Sequence, residues 1–84
     1  MGQVVLSKQG RDQGSFYIIA RIEGDFCFLV DGKKMTFERP KKKNKKHLQG
    51  TVKDSGQIRK ELEKGSIPQD SDVSGFIKKI SLET

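Results

Sequence analysis

The chain has little with which to build covalent or metal-based chemistry. Its 84 residues include one cysteine, one histidine, two prolines and no tryptophan. A single cysteine excludes an internal disulfide and any cysteine-based zinc cluster, and it suits a reducing compartment. One histidine and one cysteine do not complete a tetrahedral metal site. Cys27 has no base paired with it in the pattern and reads as a small packing residue. The acidic residues are scattered through turns and helix caps, so no carboxylate pair stands out. No enzyme, cofactor, metal or small-molecule substrate is therefore expected. The longest apolar runs, residues 16–20 and 26–30, are five residues each. They fall far short of a membrane span or a signal-peptide core, which leads to the expectation of a soluble, cytoplasmic protein without membrane contact. Only 32% of residues are apolar, so one small domain with a marginal core is expected, without a cleft between lobes.

What the chain has in excess is positive charge: 17 Lys and Arg against 11 Asp and Glu, a net +6. Residues 39–47 hold six of those cations (Arg39, Lys41, Lys42, Lys43, Lys45 and Lys46) and no acid, so the rest of the chain is balanced at eleven of each sign. The 34 residues from Thr51 onward are neutral, with six of each. A localised cluster attracts polyanions, because its field sums over all its members. A solvated loop, a disordered tail or a nuclear-targeting signal has the same composition. The mid-chain position after a strand-rich segment, and the stiffening Pro40, favour a polyanion-binding edge on a folded domain. Charge alone does not choose between RNA, DNA and an acidic membrane.

The first half reads as β. Residues 4–6 open it. Phe16–Glu23 alternates, with Phe16, Ile18, Ala20 and Ile22 on one face and Tyr17, Ile19, Arg21 and Glu23 on the other. Gly24 and Asp25 form a two-residue turn into a strand over 26–31, with Phe26, Phe28 and Val30 on one side. Asp31-Gly32 is a hairpin signal of type I′, which needs positive φ at both central positions. A strand over 34–38 follows, with Met35 and Phe37 on a common face, and Pro40 ends that ladder. A fifth strand over 49–53 is thin in apolar residues. Short strands joined by tight turns predict a mainly β fold, a small antiparallel barrel or curled meander. Asp54 and Gln57 fit a capping box before a helix over 55–64, with Ile58 and Leu62 on its apolar stripe, an Arg59–Glu63 pair and Gly65 as its stop. After a linker over 66–70, Asp72 caps a second short helix carrying Val73, Phe76, Ile77 and Ile80. Gly75 and the β-branched residues leave a strand or frayed tail open there.

Residues 7–15 join the first two strands. Gly10 and Gly14 suggest positions of positive φ or close approach to a partner. Lys8 and Arg11 are placed to reach phosphate, and exposed N–H groups at such a bend hold anionic oxygens. The loop is neither a dinucleotide fingerprint, which needs three glycines and a following helix, nor a P-loop. On its own it reads as a plain connection.

The stretch from Val4 through Gly10-Arg11-Asp12-Gln13-Gly14 to Ile19 resembles a KOW motif, a strand, glycine-containing loop and second strand found in ribosomal proteins and transcription elongation factors. The likeness continues through Leu29-Val30-Asp31-Gly32 and the basic segment ending in His47-Leu48. The whole pattern, about residues 3–49, is similar to bacterial KOW-domain RNA-binding proteins related to the large-subunit ribosomal proteins of the fourteen-e family. The resemblance implies an SH3-like five-stranded barrel of KOW type, assigned to 1–53; the segment from Thr51 onward has no part in the motif, and the helical pattern read above makes residues 54–84 a partly flexible helical extension. It also implies non-catalytic binding of RNA, ribosomal RNA first, with the ribosome as partner; separately from the resemblance, the chain is expected to be a monomer. Gly14 corresponds to the signature glycine, Gly10 and Asp12 shape the loop, and Asp31-Gly32 makes the hairpin.

The RNA-binding set expected from charge and motif together is Lys8, Arg11, Tyr17, Arg39, Lys41, Lys42, Lys43, Lys45, Lys46 and His47. Lysines suit phosphate contacts without reading base identity. Tyr17 and Phe37 are divided between stacking on a base and filling the core, with Phe37 leaning to core. His47 either contacts RNA or anchors the segment beside Leu48. A protein-interaction adaptor of the translation or transcription machinery is the second reading, because a fold does not fix a function.

Overall fold

The computed structural model describes residues 1–8, 10 and 13–83. Five strands form one antiparallel sheet: β1 Gln3–Ser7, β2 Phe16–Glu23, β3 Phe26–Val30, β4 Lys41–Asn44 and β5 Leu48–Asp54, with a single 3₁₀ turn, Lys45–His47, between the last two. Two helices follow, α1 Gln57–Glu63 and α2 Asp70–Leu82. The strand order is β4-β3-β2-β1-β5, a meander in which the last strand folds back beside the first. No ladder joins β4 to β5, so the sheet is open.

The open sheet is strongly curled. Its two edges would stand about 19 Å apart if it were flat, four spacings of roughly 4.8 Å. The three residues Lys45–His47 connect those edges, and a 3₁₀ turn of that length rises only about 6 Å. The C-terminal end of β4 and the N-terminal end of β5 are therefore brought together. Curling gives the sheet two apolar faces. Inside the curl, Val5, Tyr17, Ile19, Cys27 and Leu29 pack with Met35 and Leu48. On the outer face, Val4, Ile18 and Val30 pack with Ile58 and Leu62 of α1 and Val73 and Ile80 of α2. Both helices thus share a core with the sheet, which is how a chain this poor in apolar residues buries Tyr17, Ile18 and Ile19 in succession.

Strict alternation in β2 fails at one point. The register steps from Ile19↔Leu29 to Arg21↔Phe28, a bulge that places Ala20 and Arg21 together opposite one residue of β3. Arg21 consequently joins the outer face, its guanidinium 4.1 Å from the Phe28 ring centroid, while Ile22 pairs with Cys27 on the inner side and is left 48% exposed at the strand end.

The expected Asp31-Gly32 hairpin and the strand over 34–38 are not formed. A type I′ turn needs positive φ at both positions; Gly32 has φ +82°, but among the described residues, Asp31 included, none other than glycine has positive φ. The Asp31 carboxylate instead accepts the Lys33 and Met35 N–H groups at 2.8 and 3.0 Å, and the Asp31 and Gly32 N–H groups donate to the Met35 carbonyl. The result is a wide loop over 31–40. The Phe37 N–H donates to the Asp70 carboxylate of α2 at 3.1 Å rather than to a neighbouring strand. Met35 and Phe37 accordingly lie in opposite cores, inner and outer. Pro40 precedes a strand instead of ending one, and that strand is the basic segment itself.

The helix starts also differ. Asp54 Oδ1 accepts the Gly56 N–H at 2.8 Å and the Arg59 Nε–H at 3.1 Å, so no capping box with Gln57 forms and α1 begins two residues later than the spacing predicts. Ile58 and Leu62 are buried, and the Gly65 N–H closes the helix onto the Leu62 carbonyl, in line with the stop read there. The second helix is present but starts at Asp70, two residues before Asp72, with its carboxylate committed to the Phe37 N–H.

Candidate functional site

The basic segment is an edge strand followed by a turn, and that geometry decides where its cations go. Successive side chains of a strand leave on opposite faces. Lys41 pairs with Leu29 and Lys43 with Cys27, so both lie toward the inner face; Lys42 pairs with Phe28 on the outer one. The Lys42 ammonium stands 4.4 Å from the Phe26 ring centroid, and Phe26 is 38% exposed. The cations therefore wrap both sides of the edge. An edge strand tolerates this well, because lysines there keep other strands from pairing with it.

The turn after β4 is fixed by short polar contacts. The Asn44 side chain accepts the Lys46 N–H at 3.0 Å. The Lys45 N–H donates to the Asp25 carbonyl at 2.9 Å, and its ammonium lies 3.5 Å from the Asp25 carboxylate. Arg39, Lys41, Lys42, Lys45 and Lys46 are exposed, whereas Lys43 and His47 are half-buried. Lys43 reaches across the mouth of the curl to the Ser7 hydroxyl, 2.7 Å away.

The same turn meets the loop after β1. The Lys8 N–H donates to the His47 carbonyl at 2.9 Å, leaving the Lys8 side chain exposed. Beyond it, the Gly14 N–H donates to the Ser7 carbonyl and the Ser7 N–H to the Ser15 carbonyl, closing the loop at its base. Gly10 and Gly14 have φ +89° and +88°, the first of the two roles, positive φ or close approach to a partner, that their spacing suggests. A Cβ at Gly14 would meet nothing within 4 Å, so its requirement is conformational rather than steric. Arg11 and Asp12, to which phosphate contact and loop shaping were assigned, lie outside the described residues. The motif loop and the basic segment, separated by some thirty residues of chain, thus meet where the lysine-rich turn crosses from β4 to β5.

Tyr17 is 4% exposed and belongs to the inner core, which removes it from the set of residues able to stack openly on a base. It does line a groove of about 470 Å³ together with Met35, Lys33, Lys34 and Lys41. Lys33 and Lys34 had no place in the sequence-derived set. Adjacent lysines after an Asp-Gly pair were the available signal, concealed by the expectation of a hairpin. The Cys27 thiol is held above its ordinary pKa by burial, against a weaker opposing pull from Lys45, which leaves it a poor nucleophile.

Among the described residues, no three of His, Cys, Asp and Glu stand together in a way that would hold a metal ion. Among the same residues, no helix is long and apolar enough to cross a membrane. Comparison with protein-family models and with curated proteins finds no match to this chain.

Proposed function

We propose that this protein is a non-catalytic RNA-binding module that grips the phosphate backbone of a structured RNA, ribosomal RNA first among the candidates. The observation that carries the reading is the hydrogen bond between the Lys8 N–H and the His47 carbonyl, which joins the glycine loop to the lysine-rich turn. Lys8, Arg39, Lys41, Lys42, Lys45 and Lys46 are all exposed, the last five on β4 or within two residues of it. Point charges on flexible stems suit phosphates spaced along a folded chain, and double-stranded RNA is read largely by shape and backbone. The KOW-type resemblance and an SH3-like barrel belong to the same proposal. The curl, the strand order and the 3₁₀ turn between the edge strands support them. A cytoplasmic monomer working on or beside the ribosome follows from this reading.

The test is a titration of a structured ribosomal RNA fragment in rising salt. About six phosphate contacts predict a log–log slope of roughly −4 to −5. Replacing Lys41, Lys42, Lys45 and Lys46 together by Gln should lower both affinity and slope. Unchanged binding by that variant would overturn the proposal.

A second reading, a protein adaptor, has one observation in its favour. β5 is a sheet edge and its Val52 is fully exposed, so an extended segment of a partner has a strand to pair with. Partners retained after nuclease treatment, and lost on Val52→Lys, would favour it over the RNA reading.

A further inference from the structure

The groove between β2, the first residue of β4 and the 31–35 loop differs from the rest of the basic surface. Its floor is Tyr17 and Met35, an aromatic ring and a polarisable thioether, both packed into the inner core. Its rim carries Lys33, Lys34 and Lys41 against one acid, Asp31. Its volume of about 470 Å³ lies in the range of roughly 300–1,000 Å³ in which small-ligand pockets fall. An apolar floor beneath a cationic rim is complementary to one chemistry in particular: a flat ring with apolar faces joined to an anionic phosphate.

The walls of this groove are held in place before anything enters. Asp31 Oδ1 accepts two N–H groups of its own loop, at 2.8 and 3.0 Å. The Met35 carbonyl accepts the Asp31 and Gly32 N–H groups at 2.9 and 3.1 Å. Gly32 packs so closely on α2 that a Cβ there would collide with the Asp70 carbonyl and Ser74. Two residues past Met35, the Phe37 N–H is fastened to Asp70. Binding here therefore costs little ordering of the loop.

We infer that the groove receives a single unpaired nucleotide of a bound RNA, its base against Met35 and the small part of Tyr17 left exposed, and its phosphate among Lys33, Lys34 and Lys41. The inference rests on the RNA-binding reading. It adds to that reading a preference for RNA with an extruded base, because a base inside a duplex stack does not present its face. Lys41 belongs to both the groove rim and β4, so the groove continues the backbone-binding surface.

The experiment compares two RNA hairpins identical except for one bulged nucleotide, by fluorescence anisotropy at fixed salt. The wild-type protein should prefer the bulged hairpin by about tenfold. In Lys33→Gln/Lys34→Gln, two exposed loop positions, that ratio should fall to about one, with the circular dichroism spectrum and melting temperature checking the fold. Met35 is one of two methionines, so its ε-methyl resonance reports on the groove alone. It should shift with the bulged hairpin and stay in place with the paired one. Equal binding of the two hairpins by the wild type, a preference that survives the double variant, or a Met35 methyl that does not move, overturns the inference while leaving RNA binding intact. Failure of both hairpins to bind overturns the RNA reading itself, and the groove assignment with it.

Discussion

The Lys43 ammonium nitrogen lies 2.7 Å from the Ser7 hydroxyl oxygen, although two strands separate β4 from β1 in the sheet. Flat, those strands would be about 14 Å apart, more than the two side chains span together. The contact therefore exists because the sheet curls, and it ties the curl shut at the end where the basic turn meets the glycine loop. Ser7 is buried, so its hydroxyl depends on partners inside the protein.

Ser7→Ala and Lys43→Met should each lose about 1–2 kcal/mol, since a hydrogen bond to a charged group is among the stronger ones and a partner is left behind. For a domain of this size that corresponds to a fall in melting temperature of about 5–15 °C, readable by circular dichroism. Lys42→Met, next in sequence but on the opposite face of β4, should cost less than about 1 kcal/mol, because its contact with Phe26 is made in solvent. Equal losses for Lys42 and Lys43 would show that the Ser7 contact is not what closes the curl.

Two glycines with nearly the same φ should respond differently to alanine. At Gly14 (φ +88°) an added Cβ meets nothing, so only backbone strain acts and about 1 kcal/mol is expected. At Gly32 (φ +82°) the same strain is joined by collision with the Asp70 carbonyl and Ser74, and the loss should exceed about 2 kcal/mol. Chemical denaturation of the two variants measures the difference. Gly32→Ala should also release the 31–35 loop, seen as faster amide exchange at Met35 and Phe37.

The parts of this fold that were legible in the sequence are those where side-chain chemistry alternates visibly. β2 begins and ends where its apolar pattern does, and the Val73, Phe76, Ile77 and Ile80 spacing marks α2. β4 was not legible, because a period of two disappears when both faces carry lysine, and an edge strand permits that. The bulge at Ala20 leaves no compositional trace. The 31–40 loop depends on a hydrogen bond to Asp70, more than thirty residues away, which no local pattern encodes. For the site, the charge run located the segment and the glycines located the loop, but their junction at Lys8 and His47 is a property of the curled sheet. The groove under Lys33 and Lys34 is likewise a consequence of the loop that replaced the expected hairpin.

Stability should fall at acid pH partly through Asp54. Its carboxyl is held below the ordinary carboxylate value, first by the hydrogen bonds from Arg59 and then by the Gly56 N–H. A depressed folded-state pKa contributes stability above the unfolded value of about 3.9, and that contribution disappears as pH falls through the folded value. Urea midpoints measured from pH 6 to pH 2 should therefore drop less steeply for Asp54→Asn than for the wild type, with the difference confined to the region below about pH 4. The difference should be small, since the pair is exposed and screened, and it should shrink further in high salt.

Cys27 supplies the opposite sign. Burial of Cys27 in the inner core pushes its thiol up, and the nearby Lys45 charge offsets only part of that rise. Below the ordinary thiol value of about 8.5 neither the folded nor the unfolded state is ionised, so no stability depends on this group. As pH rises past that value the unfolded chain loses its proton first, and the folded state is progressively disfavoured. Two results are expected. Reaction with a thiol reagent at pH 8 should be slower in the native protein than in urea by a factor of at least about a thousand, because the reactive thiolate is reached only through opening of the inner core. Lys45→Gln, which acts on the thiol only in the closed state, should leave native-state labelling unchanged where unfolding rates measured in parallel are unchanged. Fast labelling of the native protein would mean that the inner core opens readily, and the curled sheet would then need to be seen as a dynamic one.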